Sequence, residues 1–241
     1  MVDAALGERG VRRSECNTGS LLSPTRGAAL PLLLLLAACG PEPVPMLEPL
    51  GVFDAGTPRP DDPFADTVLF FDAGVGAGFG QDRFPDVVLG PPRGGGDTMG
   101  SLDVLSLGRG GTLVLAFTDL HAIDGPGVDF LVFENGFSGF FEYAQVSVSD
   151  DGTHWRDFPC AALVDGGSEG CAGVRPVYSN PMNGLSPLDP TVAGGDGFDL
   201  SLVGLGEARF IKVTDTGLNR FYGPPGGGFD LDAVSLVNSS R

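Results

Sequence analysis

The segment that decides the fold class is Ala144-Gln145-Val146-Ser147-Val148-Ser149-Asp150-Asp151-Gly152-Thr153-His154-Trp155. From Ala144 to Ser149 the apolar residues fall on every second position, which is typical of a half-buried β-strand because neighbouring side chains point to opposite faces. Asp151-Gly152 then predicts a tight hairpin turn, since this dipeptide accommodates the positive φ that such turns need. Trp155 would lie on the returning strand, so the segment predicts antiparallel β structure.

The same pattern recurs along the rest of the chain. Runs rich in Val, Leu, Ile and Phe alternate with turn segments rich in Gly, Pro and Asp, and no window has the period of a long amphipathic helix. Short strands with frequent turns favour an all-β fold, here a single antiparallel β-sandwich over residues 64–241. We predict strands at Thr67–Phe71, Leu102–Leu107, Thr112–Phe117, Val128–Phe133, Tyr143–Ser149, Ala208–Asp215 and Phe229–Val237.

Residues 1–38 have the features of an export signal. Arginines precede an apolar run from Ala28 to Ala38, which ends directly before Cys39. This run of about 11 residues is too short to cross a bilayer, which takes ~20. The sequence Leu36-Ala37-Ala38-Cys39 resembles the lipobox of bacterial lipoproteins, although an ordinary secretory signal with a chance cysteine is the alternative. The resemblance implies that Cys39 is acylated and anchors the protein in the cell envelope, in the outer membrane because no aspartate follows the cysteine.

A proline-rich linker, residues 39–63, follows the lipidation site. Seven prolines fall between Gly40 and Pro63, and such segments form extended, semi-rigid spacers. The remaining residues 64–241 have the length of one domain with a hydrophobic core of its own.

The chain is acidic, with a formal net charge of −17. Residues 1–38 carry four arginines and three acids, a net +1, so the mature part carries −18. Such a charge argues against nucleic acid and anionic lipid surfaces as partners. It is compatible with divalent cations, or simply with solubility.

Two cysteines, Cys160 and Cys171, lie in the predicted domain. We expect them to form a disulfide because exported proteins mature in an oxidising compartment.

Four stretches together resemble the galactose-binding-like jelly rolls of discoidin-like and carbohydrate-binding domains. They are Val88–Pro92, Asp124–Asn135, Val146–Trp155 and Gly228–Val234. The set is also similar to a group of bacterial cell-surface proteins. The resemblance implies a mostly non-catalytic binder of glycans or other surface groups, often with a structural calcium, for which Asp232 matches the ligand aspartate of the last strand. Residues 160–193 have no counterpart, so they are interpreted as an inserted loop that carries specificity.

Carboxylates beside glycine-rich turns are candidate calcium ligands, because calcium takes six to eight oxygens and glycine lets backbone carbonyls turn toward a cation. Two of these acids differ by two positions and should share one face of a strand, where they would repel each other without a cation. The alternative is that the acids cap turns and face water. The candidates are Asp124, Asp129, Glu134, Asp230 and Asp232.

Aromatic and polar residues on loops are candidate ligand contacts, since such side chains stack on sugar rings or anchor a protein partner. Packing beneath the loops is the alternative. The candidates are Phe140, Tyr143, Trp155, Asn219, Arg220 and Tyr222.

The sequence thus favours a lipid-anchored, non-catalytic binding module of the cell envelope that recognises a glycan or a surface partner through its loops. A second hypothesis is an envelope structural or assembly protein that contacts other proteins. A third is a glycoside hydrolase in which Glu134 pairs with a second carboxylate across an open cleft.

Overall fold

The computed structural model describes residues 53–54, 62–163, 168–220 and 222–241. The predicted signal segment, Cys39 and most of the predicted linker lie outside these ranges. The strands within them are β1 (Phe53–Asp54), β2 (Thr67–Asp72), β3 (Leu105–Ser106), β4 (Thr112–Ala116), β5 (His121–Ile123), β6 (Phe130–Glu134), β7 (Ala144–Ser149), β8 (Arg156–Asp157), β9 (Ala161–Ala162), β10 (Ser168–Glu169), β11 (Asp196–Phe198), β12 (Glu207–Ala208), β13 (Phe210–Asp215), β14 (Asp230–Leu236) and β15 (Ser239–Ser240).

Helical structure in the described ranges is confined to three short 3-10 segments, Gln81–Arg83, Asp86–Val88 and Leu200–Val203. The part of the chain that the structure describes contains no helix with the length and apolar character needed to cross a bilayer.

The strands form four sheets, in which every pair of neighbours is antiparallel. A six-stranded sheet has the order β1-β2-β4-β13-β7-β8, and a four-stranded sheet has the order β11-β6-β14-β3. Two smaller sheets have the orders β12-β5-β15 and β10-β9. The prediction of an all-β fold is confirmed, and each of the seven predicted strands overlaps an observed one.

One hydrophobic core joins the six-stranded and four-stranded sheets. In β13 the buried Ile211 and Val213 alternate with half-buried neighbours, as expected for a strand with one face on the core. They share a cluster of buried side chains with Phe130 and Val132 of β6 and Val234 of β14. The arrangement is therefore β-sandwich-like.

The outer face of the four-stranded sheet is covered as well. Leu131 and Phe133 of β6 pack with Val177 and Ala193, which belong to the stretch of residues 160–193. This second layer explains why β6 and β14 are buried along their whole length. Val177 and Ala193 of the predicted insertion thus cover part of the sheet.

The hairpin between β7 and β8 is wider than the tight turn predicted from the sequence. Val148 pairs with Arg156, the connection between the two strands comprises residues 150–155, and Trp155 precedes the short returning strand. Within the loop, Oδ1 of Asp151 accepts the amide of Thr153 at 2.8 Å and so stabilises the turn. Gly152 has a φ of 74°, in the left-handed region. The turn position was predicted correctly, and its length was wrong.

The domain also extends into the predicted linker. Phe53 and Asp54 pair with Val68 and Thr67 of β2 and so add a short edge strand to the six-stranded sheet. At the end of the linker the carbonyl oxygen of Pro63 accepts the amide of Leu236 at 2.8 Å.

Candidate functional site

A cavity of about 770 Å³ opens beside the disulfide. Its lining is predominantly apolar, and its volume lies in the range of small-molecule sites, ~300–1,000 Å³. The stretch of residues 160–193 supplies much of one wall. Its lining includes Phe158, Cys160, Cys171, Val174, Phe198 and Leu202.

The disulfide between Cys160 and Cys171, which the sequence predicted, is confirmed. It closes the two-stranded sheet of β9 and β10, where Ala161 pairs with Glu169. Next to it, Ala172 forms a β-bridge with Ala144 at the start of β7. The covalent link and the bridge together fix this wall of the cavity to the six-stranded sheet.

Three phenylalanines pack against one another at the cavity, and two of them, Phe158 and Phe198, line it. The rings of Phe130 and Phe198 stack with centroids 5.2 Å apart, and Phe158 meets Phe198 edge-on at 4.9 Å. Phe158 and Phe198 are only 3% and 4% exposed. Packing therefore holds these two rings in place, and neither presents a whole ring face to a sugar.

Polar groups are few in the cavity, and Asp196 is the best defined of them. Its Oδ2 accepts the amides of Gly173 and Val174 at 2.7 and 2.9 Å. Burial raises the pKa of Asp196 to about 6, although these amides and the nearby Arg175 oppose the shift. An apolar cavity with a few convergent polar groups and a perturbed acid has the character of a binding site.

The five acids predicted as calcium ligands fall into three separate places. Asp124 and Asp129 lie with Asp199, and ligand oxygens of these three acids are within 4.8 Å of one another. Glu134 and Asp230 lie together at the other end of β6. Asp232 lies apart from both groups, against residue 93.

Asp129 is the buried member of the first group and already has hydrogen-bond donors on both oxygens. Oδ1 accepts the Gly125 amide and the Asn238 side-chain amide, each at 2.8 Å. Oδ2 accepts the Leu200 amide at 2.7 Å. A carboxylate with three donors is stable without a cation, so this group gives no independent indication of a metal.

Asp232 is the residue that the family resemblance matches to a calcium ligand. Both of its oxygens accept the amide of Arg93, at 3.1 and 2.8 Å. Burial raises its pKa to about 8, and the charge of Arg93 lowers it only in part. The Arg93 amide therefore supplies a hydrogen bond to both oxygens of Asp232, whose role as a metal ligand stays a prediction.

A β-bulge explains why Asp230 and Asp232 have different surroundings. The register between β14 and β6 shifts between Leu231 and Ala233, so Asp232 is the extra residue. The spacing of two predicted a shared face and a shared cation, but the bulge breaks the simple alternation. Asp230 lies beside Glu134, whereas Asp232 is bonded to the Arg93 amide.

Glu142, which the sequence analysis did not select, is a further buried acid whose charge acts on Glu134. Glu134 is 1% exposed and Glu142 is 0% exposed. The pKa of Glu142 is raised to about 9 by burial and then by the charges of Asp230 and Asp215. A glutamate between two aromatic residues, Phe141 and Tyr143, is the one signal in the sequence that distinguished it.

Three of the predicted ligand contacts belong to one internal network. The Asn219 side chain accepts the Tyr143 amide at 2.6 Å, and it donates to Asp215 at 2.5 Å. The Tyr222 hydroxyl donates to Asp215 at 2.8 Å and accepts the Asn219 amide at 2.9 Å. These hydrogen bonds tie the loop around Asn219 to the segment that leads into β7.

The other three predicted contacts lie outside this network. Phe140 stacks on Phe137 with ring centroids 5.3 Å apart. Trp155 contacts Lys212, whose ammonium lies 4.5 Å from the ring centroid. Arg220 is exposed. Their role as ligand contacts stays a prediction.

The geometry gives no support to the hydrolase hypothesis. A glycosidase needs two carboxyl groups in a cleft that is open to the sugar. Glu134 is 1% exposed, and a polymer cannot reach its carboxylate in this arrangement.

Comparison with known proteins yields no match, either to a protein-family model or to a curated protein.

Proposed function

We propose that this protein is a lipid-anchored, non-catalytic binding module of the cell envelope, and that the cavity beside the Cys160–Cys171 disulfide receives its ligand. The observation that carries the proposal is the cavity, about 770 Å³ in volume and predominantly apolar. The sequence supports the location independently, because the stretch of residues 160–193 was interpreted as a specificity loop and supplies part of the lining.

The chemistry of the lining favours an apolar group over a bare sugar. Exposed apolar side chains stand at the cavity, with Leu202 70% exposed and Val174 37% exposed. Arg175 adds a positive charge and Asp196 a buried carboxyl group. A ligand with an apolar body and one polar or anionic group fits this set, such as the anchoring side chain of a surface partner.

The jelly-roll assignment and the envelope location are parts of the same proposal. The β-sandwich-like core supports the first, and the lipobox-like Leu36-Ala37-Ala38-Cys39 supports the second. A module of this kind would be held on the membrane by its acyl chains and would reach its partner beyond the proline-rich linker.

A fluorescent anilinonaphthalene sulfonate tests the site, because it combines an apolar body with one anionic group. We expect saturable binding to the purified full chain, and loss of most of it in Leu202→Glu, which places a negative charge at the cavity. Leu102→Glu is the matched control, since Leu102 is 78% exposed and does not line the cavity.

Equal dye binding in both variants, or none in the native protein, would show that the cavity is not the binding site. Displacement of the dye by envelope oligosaccharides would assign the ligand to the glycan class. Displacement by an apolar peptide alone would favour the protein-partner class.

A further inference from the structure

The disulfide lies in the lining of the cavity and outside the hydrophobic core. Cys160 and Cys171 both line the cavity. Neither belongs to the cluster of buried side chains that joins the two large sheets, although their neighbours Phe158 and Ala172 do. Breaking the link therefore changes the lining of the cavity without removing a side chain from the core.

The chain between the two cysteines forms a small sheet of its own. Strands β9 and β10 pair over two positions, Ala161 with Glu169 and Ala162 with Ser168. Within the described ranges, no third strand pairs with either of them. A two-stranded hairpin without further support is at best marginally stable in water. The disulfide at its base is thus the contact on which the position of this part of the wall depends.

Backbone hydrogen bonds hold the chain on both sides of the link. After the second cysteine, Ala172 and Ala144 exchange two of these bonds, with lengths of 3.0 and 3.1 Å. Before the first cysteine, the Phe158 amide donates to the Val146 carbonyl at 3.0 Å. These bonds lie outside the segment that the disulfide encloses, so they remain when the disulfide opens. Reduction therefore loosens β9 and β10, whereas the strands on either side stay in the sandwich.

We propose that the Cys160–Cys171 disulfide is a redox switch for the cavity, in which the oxidised form binds the ligand and reduction by a dithiol lowers the affinity. This regulation rests on the proposed function of the cavity. An oxidising compartment keeps the link closed, so the oxidised, ligand-binding form is the resting one. A dithiol reductant is the chemical class of agent that releases the ligand.

The two cysteines differ in their access to such a reductant. Cys160 is half-buried, whereas Cys171 is 3% exposed. A thiolate of the dithiol therefore attacks the sulfur of Cys160, the bond between the cysteines breaks, and the electron pair leaves on the sulfur of Cys171, which takes up a proton. The second thiol then attacks the mixed disulfide and releases Cys160 as a thiol. The protein gains two electrons and two protons, and the dithiol becomes a disulfide.

The switch has a consequence that a purely structural disulfide lacks. Coupling between two equilibria is reciprocal. A ligand that binds the oxidised form more tightly by a given factor must shift the thiol–disulfide equilibrium toward the oxidised form by the same factor. A disulfide that only stabilises the fold leaves this equilibrium independent of the ligand, as long as both forms are folded.

The test uses the full chain with Cys16→Ser and Cys39→Ser, in which Cys160 and Cys171 are the only cysteines left. Fluorescence titration with anilinonaphthalene sulfonate gives the Kd of the oxidised protein and of the protein reduced by dithiothreitol. The temperature is one at which circular dichroism shows both forms folded. We expect the Kd to rise at least fivefold on reduction and to return to its first value on reoxidation.

A second measurement determines the reduced fraction at fixed ratios of reduced to oxidised dithiothreitol. Saturating dye should shift this equilibrium toward the disulfide at least fivefold. In Leu202→Glu, which we expect to lose the dye site, the dye should leave the equilibrium unchanged.

The outcomes separate the switch from the proposed function. Equal dye affinity of the two folded forms, with an equilibrium that does not respond to dye, would overturn the switch and leave the proposed function standing. Cooperative unfolding on reduction would also overturn it, because the loss of binding would then be global. An oxidised protein that binds no dye would remove the proposed function and the switch together.

Discussion

The carboxylate of Asp151 and the imidazole of His154 are in contact, with Oδ2 2.7 Å from Nδ1, in the loop that joins β7 to β8. Oδ1 of Asp151 also accepts the amides of His154 and Thr153, each at 2.8 Å. These hydrogen bonds favour the ionised acid, so the pKa of Asp151 lies below its ordinary range. The bond to Asp151 in turn raises the pKa of His154.

Replacing Asp151 by Asn should lower the pKa of His154 toward its ordinary value of about 6.5. The loop should keep its shape, because the Asn oxygen still accepts the two amides. The measurement is an NMR titration of the His154 ring proton. Asp150→Asn is the control and should lower the pKa only slightly, since Asp150 makes a weaker Coulombic contribution. An unchanged His154 titration in Asp151→Asn would contradict the assignment.

The directions of the two pKa shifts decide how the stability of this contact depends on pH. The stabilisation through His154 is present below its ordinary pKa and is lost as the pH rises through the raised value. The stabilisation through Asp151 is present above 3.8 and is lost as the pH falls through the lowered value. The pair is therefore complete between about pH 4 and 6.5. Both groups are exposed, so global melting should change little across this window.

Asp129→Asn should destabilise the fold by about 2–3 kcal/mol. Asp129 accepts from three donors, two of which are the amides of Gly125 and Leu200. An Asn side chain offers one oxygen and turns an NH2 group toward the remaining donor. Urea unfolding gives the free energy, and the exposed Asp124→Asn is the control, expected within about 0.5 kcal/mol of the native protein. Equal losses in the two variants would refute the structural role.

Tyr222→Phe should cost about 1–2 kcal/mol. The phenol both donates to Asp215 and accepts the Asn219 amide, and Phe leaves both partners unsatisfied. Tyr178→Phe is a suitable control, because the Tyr178 hydroxyl donates to Asp97 at 2.6 Å but lies on the surface. Urea unfolding compares the two. A Tyr222→Phe variant as stable as the native chain would contradict the structural role of the Tyr222 hydroxyl group.

The Cys160→Ser, Cys171→Ser double variant should lose roughly 3 kcal/mol of stability. The two residues are separated by 11 positions, and an open chain regains the loop entropy that the link removes. Melting with and without a reductant measures the effect. The native protein should melt earlier in reductant, while the variant should not respond. A reductant-dependent shift in the variant would show that the lost stability has another origin.

The strands were predictable because their signal is local. Residues 210–215 alternate, and residues 130–133 are continuously apolar, whether or not their partners are known. Strand β11 was not predicted, since Asp196-Gly197-Phe198 has no such pattern and exists through its pairing with β6. The covering role of residues 160–193 was hidden for the same reason, because their contacts are distant in sequence.

The site was only partly predictable because convergence is not a local property. Glu134 and Asp230 were both selected, but as members of a set of five that the fold divides. The bulge at Asp232 is not visible in the alternation of Asp230 to Leu236. Glu142 has no partner in sequence that would mark it, and only the folded chain places its carboxylate near that of Asp230.

Gly173 and Gly139 allow backbone strain to be separated from crowding against the carbonyl oxygen of Glu142. Their φ angles are 87° and 86°, both in the left-handed region. A Cβ at Gly139 meets nothing within 4 Å, whereas a Cβ at Gly173 overlaps the carbonyl oxygen of Glu142. The two positions thus share the conformational cost of an alanine and differ in the space available to it.

Gly139→Ala should therefore cost about 1–2 kcal/mol, the penalty of an alanine in this region. Gly173→Ala should cost a further ~1–3 kcal/mol, because the backbone of Glu142 has to shift. Urea unfolding compares the two stabilities. Equal losses in the two variants would show that the close approach of the Glu142 carbonyl oxygen adds no cost at Gly173.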